Sequence, residues 1–158
     1  MDILKILTNP ILIVPGCAWV IAQTLKLIIN TIMTKEFTIE RLFGDGGMPS
    51  GHSSIVTALA VSIGLFKGFD TAEFAIAFIF AAVVMRDAMG VRLEAGKQAA
   101  SIIKIAKLLN DYFTEHDDKI RTDKLKVLVG HTPLQVVCGA LLGAAVSIAF
   151  YFVYLNLI

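Results

Sequence analysis

The sequence predicts an all-α fold: a small polytopic membrane helical bundle of about four transmembrane helices plus one interfacial amphipathic helix. Three observations lead there. The 158 residues are 56% hydrophobic and only 17% charged, with a mean hydropathy of +0.75. Soluble domains run at about 45–50% apolar and about 25% charged. Several apolar runs approach the roughly 20 residues that cross a bilayer, and the basic residues crowd into the connections on one side of them. A soluble globular protein and a disordered one are both excluded. The net charge of +1 provides no field for gathering nucleic acid. One membrane-embedded domain over residues 1–158 is expected.

The first predicted span runs from Ile6 to Leu25, uncharged between Lys5 and Lys26. Val14-Pro15-Gly16-Cys17 faintly resembles a lipoprotein cleavage site. However, the apolar run continues past Cys17, and a proline before the small residue is unfavourable, so a retained span is expected. The second span opens at Pro49 and ends at Lys67. The third runs from Thr71 to about Gly90, with Arg86 and Asp87 near its end. Both are short enough for a re-entrant segment to be an alternative. Thr132 to Ile158 is the cleanest span, without one charged residue.

Between the third and fourth spans, Glu94 to Phe113 has helical period. Glu94, Lys97, Gln98, Ser101, Lys104 and Asp111 fall on one face, and Ala95, Ala99, Ile102, Ile103, Ala106 and Leu109 on the other. Such a segment lies along the interface or packs on the spans. Thr114 to Lys126 is charge-rich and reads as a solvated turn. Cys17 and Cys138 fall in apolar stretches and read as small core residues, not as a redox pair.

Four spans leave residues 26–48 and 86–131 on one side of the bilayer, and these hold twelve of the fourteen Lys and Arg residues. Only Lys5 and Lys67 lie opposite. The positive-inside rule then puts both termini outside and the long connections in the cytoplasm.

Three patches carry polar residues that a bilayer protein otherwise avoids: Gly46 to Ser54, Arg86 to Arg92, and Gly130 to Gln135. They fall at the start of the second span, the end of the third and the start of the fourth. All three positions face the cytoplasm. In the first patch, Gly46 and Gly47 permit a φ-positive approach, and Pro49 suits a first helical turn. The free N–H groups near Ser50, Gly51 and His52, together with the helix dipole, would cradle a phosphate. A glycine turn with a capping serine and a surface histidine is the plainer reading of the same residues.

In the third patch Thr132, Pro133 and Gln135 make a capping box. His131 lies just before the cap, where a positive helix end favours the neutral imidazole that a nucleophile or general base needs. It also fits an ordinary interfacial histidine. Two histidines with a phosphate cradle and nearby arginines suit phosphoryl transfer through a phosphohistidine: one imidazole attacks and the other protonates the leaving oxygen. No metal or other cofactor is needed. No cysteine or histidine pair stands at ligand spacing, and His116, among Glu115, Asp117 and Asp118, reads as a loop residue.

Pro49-Ser50-Gly51-His52 resembles the central signature of the type-2 phosphatidic acid phosphatases, which share their site with the vanadium haloperoxidases. Gly46-Gly47-Met48-Pro49-Ser50-Gly51-His52-Ser53 is similar to their small divergent membrane branch. So are Asp87-Ala88-Met89-Gly90-Val91-Arg92, Ala95-Gly96-Lys97-Gln98-Ala99 and Gly130-His131-Thr132-Pro133. These ordered blocks cover nearly the whole chain.

The resemblance implies that His52 is the general acid and His131 the nucleophile, with Ser50 and Gly51 binding phosphate oxygens. The larger family has a lysine and then an arginine–proline pair before the first histidine. Here Lys26 and Arg41 stand at other spacings, without that proline. The family's arginine before the nucleophile falls on Leu125, and its histidine-orienting aspartate falls on Gln135. An amide holds an imidazole without stabilising its charged form. We therefore expect Asp87, a costly charge at a span end, to supply the carboxylate. Arg92 and Lys97 are the expected replacement phosphate clamps.

The last span carries Gly139-Ala140-Leu141-Leu142-Gly143, a spacing that lets helices approach closely. Packing within the chain is its first reading and a homodimer its second. Two functions follow. The first is a metal-independent phosphatase acting on a membrane lipid phosphate or diphosphate at the cytoplasmic face of the cell membrane. The alternative is a non-catalytic membrane protein that binds phosphate or lipid head groups in transport or assembly. A haloperoxidase is a distant third.

Overall fold

The computed structural model describes residues 3–35, 47–112, 120–122, 125 and 130–157, and among these the only regular structure is helical. In order these helices are α1 (Ile3–Leu7), α2 (Pro10–Thr34), α3 (Gly51–Lys67), α4 (Ala72–Met89), α5 (Val91–Tyr112) and α6 (Pro133–Leu157). Arg41, Gly46, residues 115–118, Lys124 and Lys126 lie outside the described residues.

The runs Pro10–Thr34, Ala72–Tyr112 and Pro133–Leu157 are long and apolar enough to cross a membrane, and α3 is a shorter apolar helix of 17 residues. The chain is an integral membrane protein built as a small all-α bundle. At 1.5 Å per residue α3 is about 25 Å long, short of the ~30 Å hydrocarbon core. It occupies the centre, packed on α2, α4 and α6. Its length fits that place, because its neighbours and not lipid surround it.

Small residues create that centre. On α3, Gly51, Ser53, Ser54, Val56, Ala58, Ala60, Ser62 and Gly64 are all buried. α6 answers with Val136, Gly139, Gly143 and Ser147, one face at steps of three and four. A Cβ on Gly139 would collide with the Ser50 carbonyl, and one on Gly143 with the Ser54 carbonyl. Ser147 Oγ donates to the Ala58 carbonyl at 3.0 Å, and Ser62 Oγ lies 3.3 Å from Ser147 Oγ. At the far end Phe66 meets Tyr151 and Tyr154 edge-on, both at 5.2 Å. The contacts keep one register along both helices, so α3 and α6 run parallel with their N-termini side by side. The Gly139–Gly143 spacing is thus used inside the chain.

The first span departs from its predicted limits at both ends. Asn9 caps α2 through its side chain, which accepts from the Ile11 N–H at 3.0 Å, and Pro10 follows at the first position. This Asn-Pro start separates α1. At the other end the helix passes through Lys26 and continues to Thr34. The lysine is 7% exposed and belongs to the buried stripe of Val14, Ala18 and Ala22. Cys17 is exposed and Cys138 half-buried, both free. Cys17 lies one residue off the stripe and so faces outward, which corrects its expected place in the core.

α4 starts at a Thr71 cap, whose hydroxyl accepts from the Phe74 N–H at 3.3 Å. It stops at Gly90, whose φ of −101° and ψ of −98° break the helical path before α5 begins. Among the helices α5 contacts only α4.

Candidate active site at the paired helix starts

α3, the second predicted span, begins two residues later than Pro49. Ser50 takes the extended conformation of a cap (φ −69°, ψ 117°), and its hydroxyl accepts from the Ser53 N–H at 3.3 Å, so Gly51 is the first helical residue. Pro49, joined to Met48 by a cis peptide, lies outside the helix. Its placement in the first turn is corrected by the serine's competition for the cap. Ser50, Ser53 and Ser54 are each fully buried. Ser53 Oγ lies 3.0 Å from Ser50 Oγ, and Ser54 Oγ donates to the Ala18 carbonyl of α2 at 3.1 Å. His52, between these buried groups, is exposed. One helix start therefore presents fixed serines inward and a histidine outward.

The start of α6 is built the other way round. Thr132 N–H donates to Gln135 Oε1 at 3.1 Å, and Gln135 N–H reaches Thr132 Oγ1 at 3.4 Å, the two reciprocal bonds of a capping box. His131 is 5% exposed. Its N–H donates to the Ala88 carbonyl of α4 at 3.0 Å, and its Nδ1 lies 3.2 Å from Gln135 Oε1. Because that same oxygen accepts from Thr132, the atom facing the ring is an acceptor. In the neutral ring Nδ1 then carries the hydrogen and Nε2 the lone pair.

The two starts touch. Ser50 N–H donates to the Gln135 carbonyl at 3.1 Å, which fixes the cap of one helix on the first turn of the other. Two parallel helix N-termini, each with its dipole positive end, therefore lie next to each other. α2 covers them from the side, antiparallel to α3. A Cβ on Gly51 would approach Trp19 Cδ1 at 3.3 Å and Nε1 at 3.5 Å, and one on Gly47 would approach Lys26 Cγ at 3.2 Å. Gly47 itself has a φ of +86°, so this lysine stem lies over a glycine whose backbone few other residues would adopt.

The second patch, Arg86 to Arg92, forms the remaining wall. Gly130 is pressed onto the backbone of Arg92 and Leu93, where no side chain would fit. Arg92 Nε pairs with Asp87 Oδ2 at 2.6 Å, their side chains 47% and 41% exposed. Lys97 pairs with Glu94 at 2.7 Å on the open surface. Among the described residues no group of three His, Cys, Asp or Glu side chains could hold a metal ion.

The sequence-predicted residues thus separate into an inner and an outer set. Ser50, Gly51, His131, Thr132, Gln135 and Lys26 are gathered at the paired starts. Asp87 and Arg92 stand at the rim as a pair, and Lys97 lies one turn further out. The carboxylate of Asp87 faces Arg92, while Gln135 faces His131 Nδ1. Sequence reasoning placed Ser54 in the first patch without a role and passed over Trp19 and Gln23, the latter with its Cδ 3.8 Å from a Cβ on Gly51. Those two fall with Lys26 at 19, 23 and 26, one face of a helix, and amphipathic side chains at that spacing in an apolar span were the available signal.

The sequence profile of the Divergent PAP2 family matches residues 7–146. The chain belongs to that family. It is also 37% identical over 157 residues to the protein named "Uncharacterized membrane protein YuiD" of Bacillus subtilis (strain 168), covering 94% of this chain and 99% of that one. No solved structure matches. All three polar patches fall inside the family match, so the candidate site belongs to the family's shared region.

Proposed function

We propose that this Divergent PAP2 protein is a metal-independent phosphatase for a membrane lipid phosphate or diphosphate. It would act through a phosphohistidine at the cytoplasmic face of the cell membrane. The observation that carries the reading is the bond from Ser50 N–H to the Gln135 carbonyl. It brings a capped, glycine-led helix start and a buried histidine to one place, at the edge of a bundle where a lipid's tail can stay in the bilayer.

In the proposed reaction the phosphate oxygens rest on the N-terminus of α3 and the Lys26 ammonium, with Arg92 closing from the rim. His131 Nε2 attacks phosphorus, and the bond to the leaving oxygen breaks as His52 delivers its proton there. Water then attacks the phosphohistidine, His52 takes the water's proton, and the N–P bond breaks to release phosphate. Gln135 holds Nδ1 and so presents Nε2. Asp87 acts through Arg92 and keeps the guanidinium in place as a clamp. A homodimer would need a face other than Gly139–Gly143, which α3 occupies.

The non-catalytic alternative draws on the same geometry, because an amide and not a carboxylate faces the imidazole. Phosphate release from a panel of lipid phosphates by detergent-purified protein separates the two. Vanadate-sensitive release that disappears in His52→Ala and in His131→Ala is the expected result. Lipid retention without release across the panel would establish the binding protein instead.

A further inference from the structure

α2 brings three side chains to the start of α3, and the proposed reaction uses only Lys26. Trp19, Gln23 and Lys26 stand at steps of four and three, one side of a helix. Where Lys26 lies over Gly47, Trp19 lies over Gly51. A Cβ on Gly51 would come 3.3 Å from Trp19 Cδ1, 3.5 Å from Nε1 and 3.8 Å from Gln23 Cδ. The pyrrole part of the indole, with its N–H, is therefore the part nearest the helix start, and the six-membered ring is further off. Trp19 is 37% exposed, and Leu12, two turns deeper along the same side of α2, is 53% exposed.

The first N–H groups of a helix have no partner inside it. At α3 the Ser53 N–H goes to Ser50 Oγ and the Ser50 N–H to the Gln135 carbonyl, so the N–H groups of Gly51 and His52 remain to point out of the helix start. With ~2.5 Å between a backbone N and its Cβ, Trp19 Nε1 lies no more than about 6 Å from Gly51 N. Two oxygens of one phosphate, each accepting at about 2.9 Å, span that separation. An indole in such a place has a polar edge for an anion and an apolar ring for a hydrocarbon.

We propose that Trp19 is a substrate-binding residue that sets the specificity of the site. On the reading that the α3 start binds phosphate, the indole N–H donates to an oxygen of the same phosphate that the Gly51 and His52 N–H groups hold. The six-membered ring, and Leu12 beyond it, carry the hydrocarbon chain joined to that phosphate. The site thereby selects a phosphate borne on a chain over inorganic phosphate or a soluble ester.

Trp19 is the only tryptophan, so ¹⁵N-labelled protein in neutral detergent has one indole N–H resonance. Dodecylphosphonate, whose C–P bond resists hydrolysis, is the probe, with dodecanol as the chain alone. Saturable downfield movement of the indole proton, together with shifts of the Gly51 and His52 amides, is expected with the phosphonate and not with dodecanol. Trp19→Phe keeps a ring and loses the donor. Read at the two amides, it should weaken dodecylphosphonate binding about tenfold or more, the usual effect of losing a hydrogen bond to a charged group. Trp19→Ala should in addition narrow the preference for dodecylphosphonate over methylphosphonate, which Trp19→Phe keeps. Amide shifts with an unmoved indole, or an equal indole shift with dodecanol, would overturn the proposal and leave the phosphate site standing. So would a preference that Trp19→Ala leaves intact. No shift at any of the three groups would overturn both.

Discussion

The starts of α3 and α6 are alike in sequence logic and opposite in structure. Each has a hydroxyl cap beside a histidine at the same end of the bundle. On α3 the cap Ser50 is fully buried and His52 exposed, while on α6 the cap Thr132 is exposed and His131 buried. A group that forms a covalent bond to phosphorus must be held still, and burial with bonds at both the backbone and Nδ1 does that for His131. A group that exchanges protons with a leaving alcohol and with water must reach both, which exposure allows His52. The asymmetry supports the proposed roles, His131 as nucleophile and His52 as proton donor and acceptor.

The most damaging way to break the comparison is to separate the two helices. Gly139→Val places side-chain atoms against the Ser50 carbonyl in a fixed backbone crossing. It should abolish the monodisperse folded protein in detergent, beyond the 1–3 kcal/mol of ordinary overpacking. Gly16→Ala, where nothing lies within 4 Å, is the matched control and should shift thermal stability upward by no more than about 1 kcal/mol.

Next in size is the split between the histidines. His131→Ala should remove all turnover. His52→Ala should lower turnover about 10²–10⁴-fold on an alkyl phosphate, the usual contribution of a general acid. An aryl phosphate with a weakly basic leaving group departs without a proton, so in His52→Ala it should still phosphorylate His131, seen as a burst of released phenol, while the hydrolysis that follows stays slow. Loss of that burst would put His52 in binding and not in proton transfer.

A smaller effect is expected at Gln135. Gln135→Ala removes the bond to His131 Nδ1 and half of the capping box. At about 1 kcal/mol for such a bond it should cost roughly fivefold in kcat, whereas Gln135→Glu, which supplies a carboxylate, should raise kcat. The smallest effect belongs to the rim. Asp87→Asn loosens Arg92, exposed and solvent-screened, and should raise KM a fewfold with kcat nearly unchanged. If Asp87→Asn abolished kcat while Gln135→Ala had no effect, the imidazole would be oriented by Asp87 after all.

Much of the architecture is legible in the sequence because the bilayer imposes it. Apolar length marks α2, α4 and α6, the period after Gly90 marks α5, and Thr132-Pro133-Leu134-Gln135 reads directly as the start of α6. What the sequence does not carry is tertiary. Lys26 looks like the end of a span because lysines bound spans, yet its stem is absorbed by the groove over Gly47 and the helix runs on. Trp19 looks like a lipid-facing aromatic, yet its indole edge covers Gly51. Pro49 looks like a helix opener, and only the competing cap at Ser50 displaces it. The resemblance already put Gln135, the partner of His131 Nδ1, at the orienting position; that Asp87 turns instead to Arg92 is what no spacing rule specifies.

The central claim is that His131 becomes covalently phosphorylated. Purified protein mixed with a ³²P-labelled lipid phosphate and quenched in alkali, where phosphohistidine survives, tests it directly. The account predicts label on the peptide containing His131, present in the parent and in His52→Ala with an aryl phosphate donor, and absent from His131→Ala. Phosphate release from the parent chain with no label on that peptide would contradict it.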